Sequence, residues 1–308
     1  MGLALNENIF HTSSLGGVKM KIKLIAPHEQ SEENISSAET FKIQKVNLPL
    51  LAAFTPPEHE IKIVDEAFAP DNMNKEVDMV GITVMTDLAL RAYQIADIYR
   101  QRGVQVVMGG IHPTVLPGEA LHHADAVVIG EAEGVWPILL SDAASGEMKK
   151  LYCANKTTHV KGMPIPCRNL YPKPISRSYT PLTSGIETAR GCPYDCEFCS
   201  IGSVMGRQYR ARPVSEVIAE IESIDSPHLF FVDDTLALSR PTAKKLFMEM
   251  IPLRRKWAGQ GPVSLAEDAN IPCGRRDENV LEEISNGGWN LCFIHHHVMG
   301  WIRICGWK

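Results

Sequence analysis

Three cysteines lie within eight residues, in the run Arg190-Gly191-Cys192-Pro193-Tyr194-Asp195-Cys196-Glu197-Phe198-Cys199. Thiolates are soft metal ligands, and three of them on one short loop can converge on a single centre if the loop curls round it. A structural zinc site normally takes four ligands, often from paired C-x2-C units. Here one C-x3-C-x2-C stands without a second pair, which favours iron and sulfide over zinc. Three thiolates on a four-iron cube leave one iron open to a further ligand. Cys153, Cys167, Cys273, Cys292 and Cys305 are scattered and read as ordinary small residues.

Other polar groups sit where apolar runs end. Asp233-Asp234 follows one such run and Glu267-Asp268 another. Each pair reads equally as a helix cap or a solvated charge. Three glycine-containing turns stand out: Gly81-Ile82-Thr83, Gly109-Gly110-Ile111-His112-Pro113-Thr114 and Gly130-Glu131-Ala132-Glu133-Gly134. Glycine lets the backbone approach a large flat ligand closely, although any one of these is explained by a tight turn alone. His295-His296-His297 cannot share a metal if the segment is extended, because neighbouring side chains on a strand point to opposite faces.

The elements that must position these groups alternate in type. Residues 22–26, 61–65, 79–84, 104–108 and 126–129 are apolar runs of strand length. A short helix is expected over 46–54, stopped before Pro56-Pro57. Another is expected over 86–102, where Leu88, Ala92, Ala96 and Tyr99 share one face and Gly103 ends the helix. Buried strands alternating with helices imply a parallel sheet covered on both sides. The expected fold is therefore α/β, a flavodoxin-like doubly wound domain over residues 20–145, with its ligand beyond the carboxyl ends of the strands. Residues 1–19 read as a disordered extension. Residues 146–181, broken by Pro164, Pro166, Pro172, Pro174 and Pro181, read as a linker or extended wrap.

A second alternating series fills 182–308. A strand over 183–189 runs into the cysteine loop, and Pro213 opens a helix. Strands are expected over 229–232, 263–266 and 290–294, and helices over 241–257 and from Asp277 to Gly287. In β/α barrels functional groups gather at the carboxyl ends of strands. The cysteines and both acidic pairs would then share one rim.

C-x3-C-x2-C with an aromatic before its last cysteine resembles the signature of the radical S-adenosylmethionine superfamily. The resemblance implies that Cys192, Cys196 and Cys199 hold a [4Fe–4S] cluster. The open iron would chelate S-adenosylmethionine, and an electron from the cluster would cleave it to a 5′-deoxyadenosyl radical. Phe198 would pack near the adenine, and Asp233 or Asp234 would hold the methionine amine, although the usual Gly-Gly-Glu pattern is absent. The glycine turns in front of such a domain, over about residues 20–268, resemble the cobalamin-binding domain of cobalamin-dependent members. Gly81, Thr83, Gly109, Gly110, His112, Gly130 and Glu131 would line the cobalamin. The Asp-x-His-x-x-Gly motif that supplies a histidine to cobalt is missing, so His112 is not assigned as a cobalt ligand. A turn-capping role is the expectation for it.

The implied function is reductive cleavage of S-adenosylmethionine for cobalamin-assisted methyl transfer, or related radical chemistry, on an unidentified small molecule. A reductase, ferredoxin or flavodoxin would donate the electron. Two alternatives stand: a radical enzyme whose first domain holds no cobalamin, and a non-catalytic cofactor- or zinc-binding protein. A net charge of −5 gives no general attraction to nucleic acid or anionic membrane. No apolar run approaches the roughly 20 residues needed to span a bilayer. No basic-then-apolar signal peptide opens the chain, so a cytoplasmic protein is expected. The barrel-like part spans about 128 of the 308 residues, against about 250 for a full β/α barrel. It is therefore expected to be an incomplete (β/α) partial barrel, truncated at its C-terminal end.

Overall fold

The computed structural model describes residues 18–29, 43–73, 76–154, 158–172, 183–197, 199–234, 236, 238–260 and 292–294. Phe198, the acidic pair 267–268, the expected helix at 277–287, the histidines 295–297 and nearly all of the 1–19 extension lie outside these residues.

Two parallel sheets organise the chain. Along it run β1 (Lys21–Ala26), β2 (Ile43–Gln44), helix α1 (Asn47–Ala53), β3 (Glu60–Asp65), β4 (Met79–Thr83) and helix α2 (Ala89–Gln101). β5 (Gln105–Gly109), α3 (Ile111–Val115), α4 (Pro117–His123), β6 (Ala126–Ile129), α5 (Trp136–Ala144) and β7 (Leu151–Cys153) follow. All of these strands except β2 build the first sheet, in the order β3-β1-β4-β5-β6-β7. That order reverses beside β1, as in doubly wound flavodoxin-like sheets.

Strand alternation explains the two cores of this sheet. Ile22, Leu24 and Ala26 pack on one face with Trp136, Leu139 and Leu140 of α5. Ile25, Ile82, Val106 and Met108 pack on the other with Ala92, Ile95, Ala96 and Tyr99 of α2. Helical spacing delivers that α2 stripe. Gly103, at φ +74°, ends α2 in the left-handed conformation that glycine adopts without strain. Lys23 is fully buried on the α2 face, where its ammonium lies 2.9 Å from Asp71 and also bonds to the Tyr99 hydroxyl. A buried charge is tolerable only with such partners.

The second series contains β8 (Thr183–Ile186), β9 (Ala189–Arg190), α6 (Ile201–Val204), β10 (Arg210–Ala211), α7 (Val214–Glu222), β11 (His228–Phe231), α8 (Arg240–Met250), β12 (Lys256–Gln260) and β13 (Cys292–Ile294). Its sheet runs β13-β12-β11-β8-β2. Val217 and Ile221 of α7 and Leu246, Phe247 and Met250 of α8 cover it. Phe247 stacks on Trp257 with ring centroids 4.6 Å apart.

Four details differ from the sequence-based expectation. The helix expected over 241–257 stops at Met250, and β12 begins at Lys256. Pro252 cannot supply an interior helical N–H, and Arg254 turns through φ 49° to start the strand. The strand expected over 183–189 is split by a corner at Glu187-Thr188 into β8 and β9. β7 falls inside the stretch expected as a linker and adds a sixth strand to the first sheet. β2, inside the stretch expected to form the first domain, pairs instead with β8 of the second sheet.

The segment around residues 167–171 packs against both sheets. Cys167 N–H donates to Pro49 carbonyl at 2.9 Å. Tyr171 donates its hydroxyl to Asp65. Arg168 donates to the Gly185 carbonyl at 2.7 Å and to Glu220 at 2.6 Å. Glu220 also pairs with Arg212 at 2.6 Å and is fully buried. Among the described residues no helix is long and apolar enough to cross a membrane.

Candidate functional site

The cysteine loop hangs from a two-residue antiparallel ribbon. β9 enters it, β10 leaves it, and Arg190 stands opposite Arg210. Gly191 follows at φ +79°, and an added Cβ would collide with the Gln208 carbonyl oxygen. Only glycine fits that turn. The Cys192 N–H donates to the Gly206 carbonyl at 3.2 Å, and the Cys199 N–H to the Cys196 carbonyl at 3.0 Å. Cys192 is buried at the base of the loop, whereas Cys196 and Cys199 are exposed, and none is in a disulfide. Asp195 pairs with Arg207 at 2.6 Å, which holds its carboxyl below the usual range.

Three thiols on one loop, two of them open to solvent, are a donor set suited to an iron–sulfur cluster. Among the described residues no three His, Cys, Asp or Glu side chains form a group that would hold a single metal ion, whereas in a four-iron cube each thiolate binds a different iron.

Asp233, just past β11, is 4% exposed. Its Oδ1 accepts from the Thr188 N–H at 2.9 Å, the Thr188 hydroxyl at 2.7 Å and the Ala189 N–H. It therefore fixes the corner between β8 and β9. Its Oδ2 is buried without a hydrogen-bond partner. Burial pushes this carboxyl up to about 7, against the pull of its three donors. Burial and the Asp233 charge push the nearby Tyr209 phenol up to about 12. Asp234 is exposed.

The residues expected to line cobalamin do not share one setting. Gly81 is buried in β4, where an added Cβ would stand 3.0 Å from Leu24 and 3.5 Å from Trp136. It makes room for the core. Thr83 ends the same strand and accepts a hydrogen bond from the Asn47 amide at 2.9 Å. Gly109 ends β5. Gly110 turns at φ +104°, and an added Cβ would stand 2.9–3.0 Å from the Val84 backbone. Gly130 turns at φ +83° after β6, and its N–H donates to the Thr114 hydroxyl at 3.0 Å. Met85 and Val115 are exposed apolar side chains beyond β4 and β5.

His112 is buried, with its Nε2 2.9 Å from the Tyr93 hydroxyl. That hydroxyl donates its one proton to Glu119 at 2.9 Å. Nε2 must therefore be the donor to Tyr93, which assigns the tautomer from the network. The imidazole thus ties the turn after β5 to Tyr93 of α2 and, through it, to Glu119 of α4, with no side-chain cap on α3.

Glu131 reaches across to the cysteine ribbon. Its carboxylate lies 2.5 Å and 3.0 Å from the Arg210 guanidinium and 3.4 Å from Arg190. Burial opposes its ionisation, but Arg210, Arg190 and the Thr158 N–H hold its carboxyl below the ordinary value. Glu133 pairs with Arg190 at 2.7 Å, and Glu187 pairs with it at 2.9 Å. α6, just after Cys199, packs against α3. Sequence reasoning missed Glu133, Glu187 and Arg210. Glu131 and Arg210 are 79 residues apart, and no local periodicity links such a pair.

The B12 binding domain family matches residues 38–140. The bacteriochlorophyllide d C-8(2)-methyltransferase of Chlorobaculum tepidum is 40% identical over 179 residues, covering 57% of this chain and 40% of that protein. The bacteriochlorophyllide d C-12(1)-methyltransferase of the same organism is 30% identical over 263 residues, covering 82% of this chain and 55% of that protein. The chain thus spans about half the length of these curated relatives. Among solved structures, the radical S-adenosylmethionine methyltransferase TsrM from Kitasatospora setae, with cobalamin and a [4Fe–4S] cluster bound, has a TM-score of 0.64 at 16% identity, covering 92% of this chain and 60% of that one. The cobalamin-dependent S-adenosylmethionine radical enzyme OxsB, with aqua-cobalamin and S-adenosylmethionine bound, has a TM-score of 0.61 at 14% identity, covering 87% and 42%. At those identities the likeness is one of fold. The chain matches the B12 binding domain family over residues 38–140, is related in sequence to methyltransferases and has the fold of TsrM and OxsB.

Proposed function

We propose that this chain is the cofactor-binding part of a cytoplasmic radical S-adenosylmethionine enzyme that transfers a methyl group, with cobalamin, to an unreactive carbon of a small molecule. One observation carries the reading. The ribbon that holds the three cysteines is seated, through Arg190 and Arg210, on the turn that follows β6 of the B12-binding domain. This contact sets the cysteine ribbon against the first domain, which supports a methyl relay between cofactors held by the two.

In this reading Cys192, Cys196 and Cys199 hold a [4Fe–4S] cluster, with one iron left for S-adenosylmethionine. Thr83, Gly109, Gly110 and Gly130 flank the cobalamin, with the exposed apolar Met85 and Val115 nearby. The cluster supplies the electron for sulfonium cleavage, and cobalamin supplies a methyl carrier. The chain's own residues position and enclose. Gly191 permits the sharp entry to the loop, and Asp233 holds the corner before it. Asp234, exposed beside that corner, is the open carboxylate for the methionine amine. A reductase, ferredoxin or flavodoxin supplies the electron.

Anaerobic reconstitution with iron and sulfide tests this directly. The expected product carries about four irons per chain, shows a reduced-cluster resonance that S-adenosylmethionine perturbs, and retains added cobalamin through gel filtration. Zinc without iron or sulfide would overturn the reading in favour of a binding protein. A cluster without retained cobalamin would overturn the methyl-relay part alone.

A further inference from the structure

We propose that Arg190 and Arg210 are positioning residues, which together with Glu131 and Glu133 lock the stance of the cysteine loop to the first domain. The inference rests on the cluster reading above and adds a pair of side chains to it.

Arg190 and Arg210 face each other on the β9–β10 ladder. Opposed residues on an antiparallel pair project to the same side, a few ångströms apart, and like charges there repel. The ladder has only two residues on each strand, too few to hold itself together in water. An anion between the two guanidinium groups removes the repulsion, and Glu131 occupies that place with contacts to both. Glu133 adds a second bond to Arg190 at 2.7 Å. The arginine side chains are each 9% exposed and the Glu131 side chain 7%, so water does not substitute for these bonds.

The clamp sits at a sensitive point. Arg190 is two residues before Cys192, and at Gly191 between them an added Cβ would collide with the Gln208 and Gly206 carbonyls. Arg210 also donates to the Met205 carbonyl at 2.8 Å, which ties the far end of the loop to the same carboxylate cluster. Both ends of residues 191–209 are therefore referred to one turn of the first domain. The bonds of the two arginines run to Glu131, Glu133, Glu187 and the Thr158 and Met205 carbonyls, so their part is to place the first ligand.

The test uses the full chain with Arg190→Gln, Arg210→Gln and Glu131→Gln, and with Arg210→Lys as the variant that keeps charge but loses the two-pronged contact. In the apo proteins, amide hydrogen exchange is followed by peptide. Each glutamine variant should speed exchange at residues 189–192 and 208–211 by at least about tenfold, while residues 21–26 and 105–109 keep the parent rate. Arg210→Lys should fall between. After reconstitution with iron and sulfide, the reduced cluster's electron paramagnetic resonance should differ from the parent's in line shape and in its response to S-adenosylmethionine. Unchanged exchange at the ribbon overturns the clamp. Faster exchange with a parent-like resonance reduces it to domain glue and overturns positioning. Uniformly faster exchange in both sheets also overturns it. If the parent takes up no cluster, the functional reading fails and the cluster half of this proposal with it, while the exchange comparison still decides the clamp.

Discussion

Asp233 and Thr188, 45 residues apart, are joined twice: the Thr188 N–H and its hydroxyl both donate to Asp233 Oδ1, at 2.9 Å and 2.7 Å. The strand β11 thereby holds the corner at which β8 gives way to the cysteine ribbon. The same burial that makes this contact dry makes ionisation of Asp233 unfavourable.

Its pH dependence follows. Asp233 is raised from 3.8 to about 7, so the folded chain holds this proton more tightly than the unfolded chain does. The contribution is fully present below about pH 4 and is lost as pH rises through about 7. Asp233→Asn has no proton to lose. Urea unfolding of both proteins should show the parent losing stability relative to the variant between about pH 4 and pH 7, by a few kcal/mol on the scale of about 1.4 kcal/mol per unit. A pH-independent difference would contradict the assignment.

Gly81 was expected at a cobalamin surface, but its place against Leu24 and Trp136 makes a packing prediction. Gly81→Ala inserts a methyl 3.0 Å from Leu24 Cδ2. Overpacking of this kind costs about 1–3 kcal/mol. Thermal unfolding should register the loss. A variant that melts like the parent yet loses cobalamin would return Gly81 to the ligand surface.

Much of the first sheet was legible because its signals are local. Apolar runs marked β1, β3, β4, β5 and β6, and the Ala92–Ala96–Tyr99 stripe marked α2. Pro252 was the overlooked warning against a helix continuing to 257. β2 could not be read from Ile43-Gln44 alone, since two residues carry no periodicity and their partner is in the other sheet. The cysteine cluster was plain from spacing. The Glu131–Arg210 clamp was not, because charge pairs between distant turns exist only once the fold brings them together.

His112→Ala removes the donor to Tyr93 and leaves that hydroxyl with Glu119 alone. The expected cost is about 1 kcal/mol in a denaturant titration. Retention of cobalamin by the variant, followed by absorption, should match the parent. Loss of the bound cofactor with unaltered stability would instead place the imidazole at the metal.

Iron uptake separates the cysteines. Replacing Cys192, Cys196 or Cys199 with alanine should lower iron after reconstitution to background, since each would remove one of three ligands. Cys153→Ala and Cys167→Ala should bind as much iron as the parent. Burial raises the Cys167 thiol, which disfavours the thiolate a metal needs. Undiminished iron in any of the first three variants would exclude that residue from the site.

The pairing of Gln44 with Ser184, 140 residues later, has a consequence for how the chain is made. A ribosome releases Ile43 and Gln44 long before Thr183 exists. At about 5–20 residues per second the early segment waits for seconds, its strand edge unmatched, while β3 to β7 assemble beside it. The two halves of the polypeptide therefore share one sheet, and separating them between residues 146 and 182 would leave β8 with β11 but without β2.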